Sequence, residues 1–117
     1  DDDTEMTYPL ILAKIPVKNP WEIFAYLPFG NWNDCPDTPE LMAAAKYWFQ
    51  QHGAIPAAMS HDELEFELPT PISKERAMEV AVEQYGFCPD LDQNEDGSIG
   101  SLADVLWQST VWYFWWD

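Results

Sequence analysis

Residues 63–68 carry the clearest pattern in the chain, a strict alternation of acidic and apolar positions. The acidic positions are Glu63, Glu65 and Glu67, and the apolar ones are Leu64, Phe66 and Leu68. Successive side chains of a strand point to opposite faces of a sheet. The segment is therefore predicted to be a strand with one buried face and one acidic face. Pro69 and Pro71 end it.

Two longer segments have helical spacing. The first starts with a capping-box pattern, because Asp37 can cap the helix and Glu40 follows three residues later. Gly53 supplies its stop. The positions at helical spacing in this helix are Leu41, Ala45, Trp48 and His52. His52 is interpreted as structural, in the last turn where a positive charge suits the helix dipole.

The second helix is predicted to start after Ser73 and to close at Gly86. Its expected buried stripe is Met78, Ala81, Val82 and Tyr85. A short third helix is expected after Ser101 as its cap, burying Leu102, Val105 and Leu106.

Three further strands are predicted at residues 8–17, 54–60 and 110–116, while residues 21–27 fit a short strand or a helical turn. The dense apolar run at 110–116 suggests a central strand covered on both faces. The order β-α-β-β-α-(α)-β predicts an α+β fold, with an antiparallel sheet and helices on one face. This is the ferredoxin-like, split βαβ arrangement. Residues 1–7 are expected to be an acidic disordered tail, and residues 8–117 a single domain.

Composition narrows the classes of partner. In 117 residues, 21 Asp and Glu oppose five Lys and Arg, which gives a net charge of −16. Such a field repels phosphate backbones, so nucleic-acid binding is not expected. No apolar stretch approaches the length of about 20 residues that crosses a bilayer, so no membrane segment is expected either. Two cysteines fit a reducing compartment, which indicates the cytoplasm.

Three blocks of sequence together resemble a known family. They are NPWEIFAYLPFGNWNDCPD at 19–37, AIPAAMSHDELEFELP at 54–69 and STVWYFWWD at 109–117. These long, tryptophan-rich blocks are similar to the bacterial domain of unknown function DUF4253, over residues 16–117. The resemblance implies a compact α+β domain. It implies no known reaction and no catalytic residue.

One loop resembles a calcium site. Residues 92–99 match the first eight positions of an EF-hand loop, but the twelfth position, normally a bidentate Glu, is Ala103. Asp104 falls one residue late and has a competing role near the start of the third predicted helix. A Ca2+ site of modest affinity would use Asp90, Asp92, Asn94 and Asp96. The alternative is an Asx-turn loop that holds no cofactor.

The acidic strand face is the second candidate site. Its three glutamates lie about 7 Å apart along one face and repel one another. In the ferredoxin-like order the neighbouring strand is the first one, which offers Lys14 and Lys18 for pairing. The face is then either a solvated surface or a docking surface for a basic protein.

The leading hypothesis is a non-catalytic acidic interaction module that binds a basic protein partner, with an immunity or inhibitor protein as its specific form. The expected partner-binding residues are Glu63, Glu65, Glu67, His61, Asp62, Trp32 and Asp34. One alternative is a small-ligand-binding or hydrolytic domain that uses the loop 29–37 and His61. The other is a calcium-stabilised structural domain. No nucleophile or phosphate loop accompanies His61, so the sequence leans away from an enzyme.

Overall fold

The computed structural model describes residues 17–27, 29–30, 35–89, 91 and 99–116. A 3-10 helix at Pro20–Ala25 precedes helix α1 (Thr38–His52), strands β1 (Ile55–Met59) and β2 (Glu63–Glu67), helices α2 (Lys74–Phe87) and α3 (Ile99–Leu106), and strand β3 (Val111–Trp115). The predicted α+β class is confirmed. The tail at 1–7 and the predicted first strand, except its last residue Val17, lie outside the described residues.

The three described strands form an antiparallel sheet in the order β1-β2-β3. Glu65 pairs with Tyr113 on one side and with Ala58 on the other, so both edges of β2 are occupied. The ferredoxin-like order would put the first strand between β2 and β3. This is not the pairing observed, so the predicted contact of the glutamates with Lys14 and Lys18 on a neighbouring first strand is wrong.

Strand β3 differs from the prediction in its exposure. Trp112 and Phe114 are buried, whereas Val111 and Tyr113 are exposed. It is the edge strand of the sheet that the described strands form, and the exposure of Val111 and Tyr113 shows that it is not covered on both faces. Only its alternate residues meet the core, although all five are apolar or aromatic.

Helix α1 follows its sequence signals closely. Asp37 Oδ1 accepts from the Glu40 N–H at 3.0 Å, and Glu40 Oε1 accepts from the Asp37 N–H at 3.0 Å, which completes the capping box. At the other end Gly53 adopts a left-handed conformation with φ of 74°. The residues between 21 and 27 form a helical turn, which was one of the two predicted alternatives.

The buried faces of helices α2 and α3 agree with the predicted ones only in part. Ser73 caps α2 as expected, with its hydroxyl accepting from the Arg76 N–H. The buried residues of α2 are Ala77, Val80, Ala81 and Gln84, while Met78 and Val82 are exposed. Helix α2 continues through Gly86 to Phe87. Of the predicted stripe, Ala81 is buried and Tyr85 packs against the core, so the prediction is wrong only for Met78 and Val82.

In α3 the predicted cap, Ser101, lies inside a helix that already begins at Ile99. Leu102, Ala103 and Leu106 are buried, and Val105 is exposed. The inward position is again taken by an alanine where the sequence predicted a larger side chain.

The core is organised around Trp48 of α1. Its ring is stacked on Phe114 at 5.6 Å and meets Phe66 and Trp112 edge-on at 5.7 and 5.5 Å. Phe87 at the end of α2 packs on the same ring at 4.9 Å. Edge-to-face and offset contacts of this kind stabilise aromatic pairs beyond the burial of their area. The helices therefore cover the inner face of the sheet, and the glutamates of β2 lie on the opposite face.

Candidate functional site

The face of the sheet turned away from the core is called the outer face here. It carries the alternate residues of each strand: Glu63, Glu65 and Glu67 of β2, Val111, Tyr113 and Trp115 of β3, and Ile55 and Ala58 of β1. The register places Glu63 beside Trp115, Glu65 beside Tyr113, and Glu67 beside Val111. The predicted acidic row is thus confirmed as one face of β2, and a row of apolar and aromatic residues runs next to it.

Glu63 is held by two hydroxyl groups. The Tyr113 hydroxyl donates to Glu63 Oε2 at 2.6 Å. The Ser60 hydroxyl donates to Glu63 Oε1 at 3.0 Å and accepts from the Glu63 backbone N–H at 3.1 Å. Short hydrogen bonds to a carboxylate are stronger than those between neutral groups. Glu63 therefore has a fixed orientation at one end of the row.

Glu65 and Glu67 are not neutralised in this way. Within the part of the chain that the structure describes, neither carboxylate accepts a side-chain hydrogen bond or pairs with a Lys or Arg. Three like charges along one strand are destabilising unless solvent or a cation compensates them. Within the described residues, the outer face thus presents two carboxylates without a cationic partner.

Tyr113 is the aromatic centre of the outer face. Burial of its hydroxyl raises the pKa of Tyr113 above its ordinary value of 10, and the hydrogen bond to Glu63 raises it further. The phenol therefore stays protonated and acts as a donor. Tyr113 is still 43% exposed, and Val111, the preceding outer-face residue of β3, is 42% exposed. Sequence reasoning missed these residues, because β3 is apolar throughout and its alternation is hidden.

The turn between β1 and β2 brings His61 and Asp62 to the Glu63 end of the row. His61 Nε2 lies 3.5 Å from Asp62 Oδ2, and the His61 side chain is 91% exposed. The Asp62 carbonyl accepts from the Trp116 N–H at 3.1 Å, which ties the turn to the end of β3. The structure therefore places two predicted partner-binding residues at the edge of the outer face.

The loop 29–37 is described only in part. Phe29 is buried and its ring lies edge-on to Trp116 at 5.7 Å. Cys35 is buried as well, and Gly30 has φ of 90°, a conformation that favours glycine. Trp32 and Asp34, the two residues of this loop predicted to bind a partner, lie outside the described residues. The described ends of the loop face the core.

The predicted calcium ligands Asp90, Asp92, Asn94 and Asp96 also lie outside the described residues. Among the residues that are described, no three His, Cys, Asp or Glu side chains are grouped so that they could hold a metal ion. The calcium hypothesis stays a prediction.

A second polar group lies between α1 and α2, and the sequence had not indicated it. Glu83 accepts from the Tyr47 hydroxyl at 3.1 Å and from the buried Trp48 Nε1–H at 3.2 Å. Burial lowers the pKa of the nearby His52, and the charge of Arg76 lowers it further, against the opposing effect of Glu83 and Glu79. His52 therefore favours the neutral form, and the expectation that it complements the helix dipole as a cation is not supported. Glu83 joins the two helices through the central tryptophan.

No helix in the described ranges has the length and apolar character required to cross a bilayer. A family model described as "Domain of unknown function (DUF4253)" matches residues 11–117. No curated protein and no solved structure matches the chain.

Proposed function

This chain belongs to the DUF4253 family of domains of unknown function, and we propose that it is a non-catalytic interaction module whose outer face binds a basic protein partner. The observation that carries the proposal is the exposure of apolar and aromatic side chains directly beside carboxylates that pair with no Lys or Arg among the described residues. Tyr113 and Val111 are each more than two-fifths exposed and pair in register with Glu65 and Glu67.

The two kinds of side chain have separate roles in binding. Exposed aromatic residues are frequent binding hot spots, since they bury a large area at a small cost in conformational entropy. The carboxylates Glu65 and Glu67 select Lys or Arg side chains of the partner. Tyr113 supplies a rigid anchor because Glu63 already holds its hydroxyl.

The overall charge supports the same class of partner. A net charge of −16 attracts basic proteins over a distance of about 8 Å at physiological salt. Electrostatic attraction of this kind raises association rates and sets the preferred orientation more than it sets the final affinity. The net charge therefore favours the approach of basic proteins in general. Contacts with the outer face then select the protein that stays bound.

A specific form of the proposal is an immunity or inhibitor protein that neutralises a basic toxin or nuclease. It rests on the acidity of the chain and on analogy alone. We also propose a cytoplasmic location. Its support is that both cysteines, Cys35 and Cys88, are buried thiols, and that Cys88 Sγ donates to the Trp115 carbonyl at 3.0 Å.

Two variants of equal net charge test the proposal. One changes Glu63, Glu65 and Glu67 to Gln, and the control changes the exposed helix residues Glu75 and Glu79 to Gln and Asp104 to Asn. Both remove three negative charges. Tagged wild type and both variants are used for affinity purification from a lysate of the source organism at low and moderate salt.

A basic protein should be recovered with wild type and with the helix control, and lost with the outer-face variant. Recovery should fall as the salt concentration rises. Equal recovery by the two variants would show that only net charge matters. Absence of a salt-sensitive basic protein would contradict the proposal.

A further inference from the structure

The pairing of β2 with β3 brings their outer-face side chains close together. The Trp116 N–H donates to the Asp62 carbonyl at 3.1 Å, so these two residues form a hydrogen-bonded pair. Paired residues of antiparallel strands alternate between hydrogen-bonded and non-hydrogen-bonded positions, and side chains lie closer in the latter. Glu65 and Tyr113 are paired three residues further along. They therefore form a non-hydrogen-bonded pair, with the carboxylate beside the aromatic ring.

The Tyr113 ring is held along the row of glutamates by its hydroxyl, which donates to Glu63 Oε2 at 2.6 Å. Burial and this hydrogen bond raise the pKa of Tyr113, and the negative charge of Glu65 raises it further, as expected for a nearby carboxylate. Tyr113 is 43% exposed, and the residue paired with Glu65 on the other side is the small, exposed Ala58. A cation from solvent can therefore reach Glu65 and the Tyr113 ring at the same time.

A carboxylate beside an aromatic ring suits a guanidinium group better than an ammonium group. The guanidinium is planar, so it can stack on the ring while it donates two parallel N–H bonds to the carboxylate. An ammonium is a compact point charge that is more strongly hydrated, and it cannot form this planar fork. Glu65 and Tyr113 together therefore favour an arginine side chain over a lysine side chain.

A second position lies two residues further along β2. Glu67 is exposed and is paired with Val111, so its neighbour on β3 is aliphatic. The carbon chain of either Lys or Arg can pack on Val111 while its charge reaches Glu67. Glu65 and Glu67 are about 7 Å apart, which is also the spacing of alternate side chains in an extended peptide. One extended segment can therefore place a basic side chain at each position.

We propose that the outer face binds an extended protein segment with basic residues at two alternate positions, and that Glu65 and Tyr113 favour arginine at one of them. The inference rests on the proposed function, because it specifies the partner of the same face. Charge complementarity supports it, since neither Glu65 nor Glu67 pairs with a Lys or Arg in the described ranges. The exposed Val111 favours a side chain with a carbon stem over a small inorganic cation.

Three short peptides, acetylated and amidated, test the inference by nitrogen–proton NMR of the full chain at low salt. Ser-Arg-Thr-Arg-Ser and Ser-Lys-Thr-Lys-Ser carry equal charge and should both shift the backbone signals of β2 and β3 in a saturable way. The arginine peptide should bind about fivefold more tightly, which corresponds to one cation–π contact of about 1 kcal/mol. Ser-Arg-Arg-Thr-Ser has the same composition as the first peptide. It should bind more weakly, because adjacent side chains of an extended segment point to opposite faces.

Variants of the outer face assign the preference to its residues. Tyr113→Leu keeps an apolar side chain but removes the ring, so the arginine and lysine peptides should bind it equally. Glu65→Gln is the second variant should Tyr113→Leu fail to fold, and it should lower both the affinity and the preference for arginine. Glu67→Gln removes the same charge at the aliphatic position. It should weaken both peptides and leave the ratio of their affinities unchanged.

The possible results separate this inference from the proposed function. Equal affinity of the arginine and lysine peptides for wild type would overturn the inference, and so would an unchanged ratio in folded Tyr113→Leu or Glu65→Gln. In either case the proposed function stands if binding disappears when the three glutamates of β2 are changed to Gln. Absence of saturable binding by every peptide would overturn the inference and would also count against the proposed function.

Discussion

The outer face should be under electrostatic strain that a single neutral substitution relieves. Glu65 lies between Glu63 and Glu67, each about 7 Å away along the strand. Two unit charges at that distance in water repel by about 0.6 kcal/mol, so two neighbours contribute about 1.2 kcal/mol. Glu65→Gln removes this repulsion. The substitution should therefore stabilise the domain, although the repulsion on Glu65 acts at a distance of about 7 Å and not through a direct contact.

Salt dependence distinguishes this effect from a change in packing. With a screening length of about 8 Å at 0.15 M salt, the gain should fall to about 0.5 kcal/mol, and at 1 M salt, with about 3 Å, to about 0.1 kcal/mol. Glu67→Gln is the matched control. Glu67 ends the row and has one acidic neighbour on β2, so its gain should be about half as large.

The assay is urea denaturation, because guanidinium would itself screen the charges. At low salt Glu65→Gln should raise the unfolding free energy by about 1 kcal/mol, which corresponds to about 4 °C in Tm for a domain of this size. A destabilised Glu65→Gln protein, or a gain that does not depend on salt, would refute the reasoning. It would mean that Glu65 is compensated within the chain.

Four further predictions concern the two long helices and the loop before α1. Glu83→Leu should cost about 2 kcal/mol in urea denaturation, because the buried Trp48 N–H loses its acceptor; Glu83→Gln keeps an oxygen and should cost clearly less, and equal losses would contradict this role. His52→Gln should reduce the loss of stability on acidification below about pH 6.5, since burial lowers the pKa of folded His52 and the unfolded chain therefore takes up the proton first. An unchanged pH profile would show that His52 does not contribute. Gly30→Ala should be strongly destabilising in thermal unfolding, because φ is +90° and an added Cβ would clash with backbone and side-chain atoms. Gly86→Ala, in the last turn of α2 where an added Cβ meets no atom, should instead stabilise the helix by at most about 1 kcal/mol.

Local signals in the sequence correctly predicted the two ends of α1 and the two faces of β2. The Asp37–Glu40 capping box and the left-handed Gly53 both occur as expected. The alternation at 63–68 correctly separated a buried face from an acidic one. In each case the pattern depends on neighbouring residues and on backbone geometry, both of which the sequence contains.

Pairing and helix rotation were harder to predict, because they depend on distant contacts. The β2–β3 pairing joins residues about 50 positions apart, and the ferredoxin-like order was inferred only from the sequence of elements. In α2 the exposed Met78 and Val82 are more hydrophobic than the buried Ala77 and Ala81. The inward face was chosen by close packing and could not be identified from hydrophobicity.

The candidate site was predicted in its acidic half alone. Glu63, Glu65 and Glu67 were identified from their alternation, but Tyr113 and Val111 come from a strand whose residues are all apolar or aromatic. Only the register with β2 shows which of them reach the outer face.

Site-specific photo-crosslinking tests the central claim most directly. A photoreactive phenylalanine derivative is placed at Ala58, which is exposed beside Glu65 on the outer face, and separately at the exposed Val82 of α2 as control. In cells of the source organism, the Ala58 position should capture a basic protein, and capture should disappear when the three glutamates of β2 are changed to Gln. Capture of the same protein from both positions, or of no basic protein from Ala58, would contradict binding through the outer face.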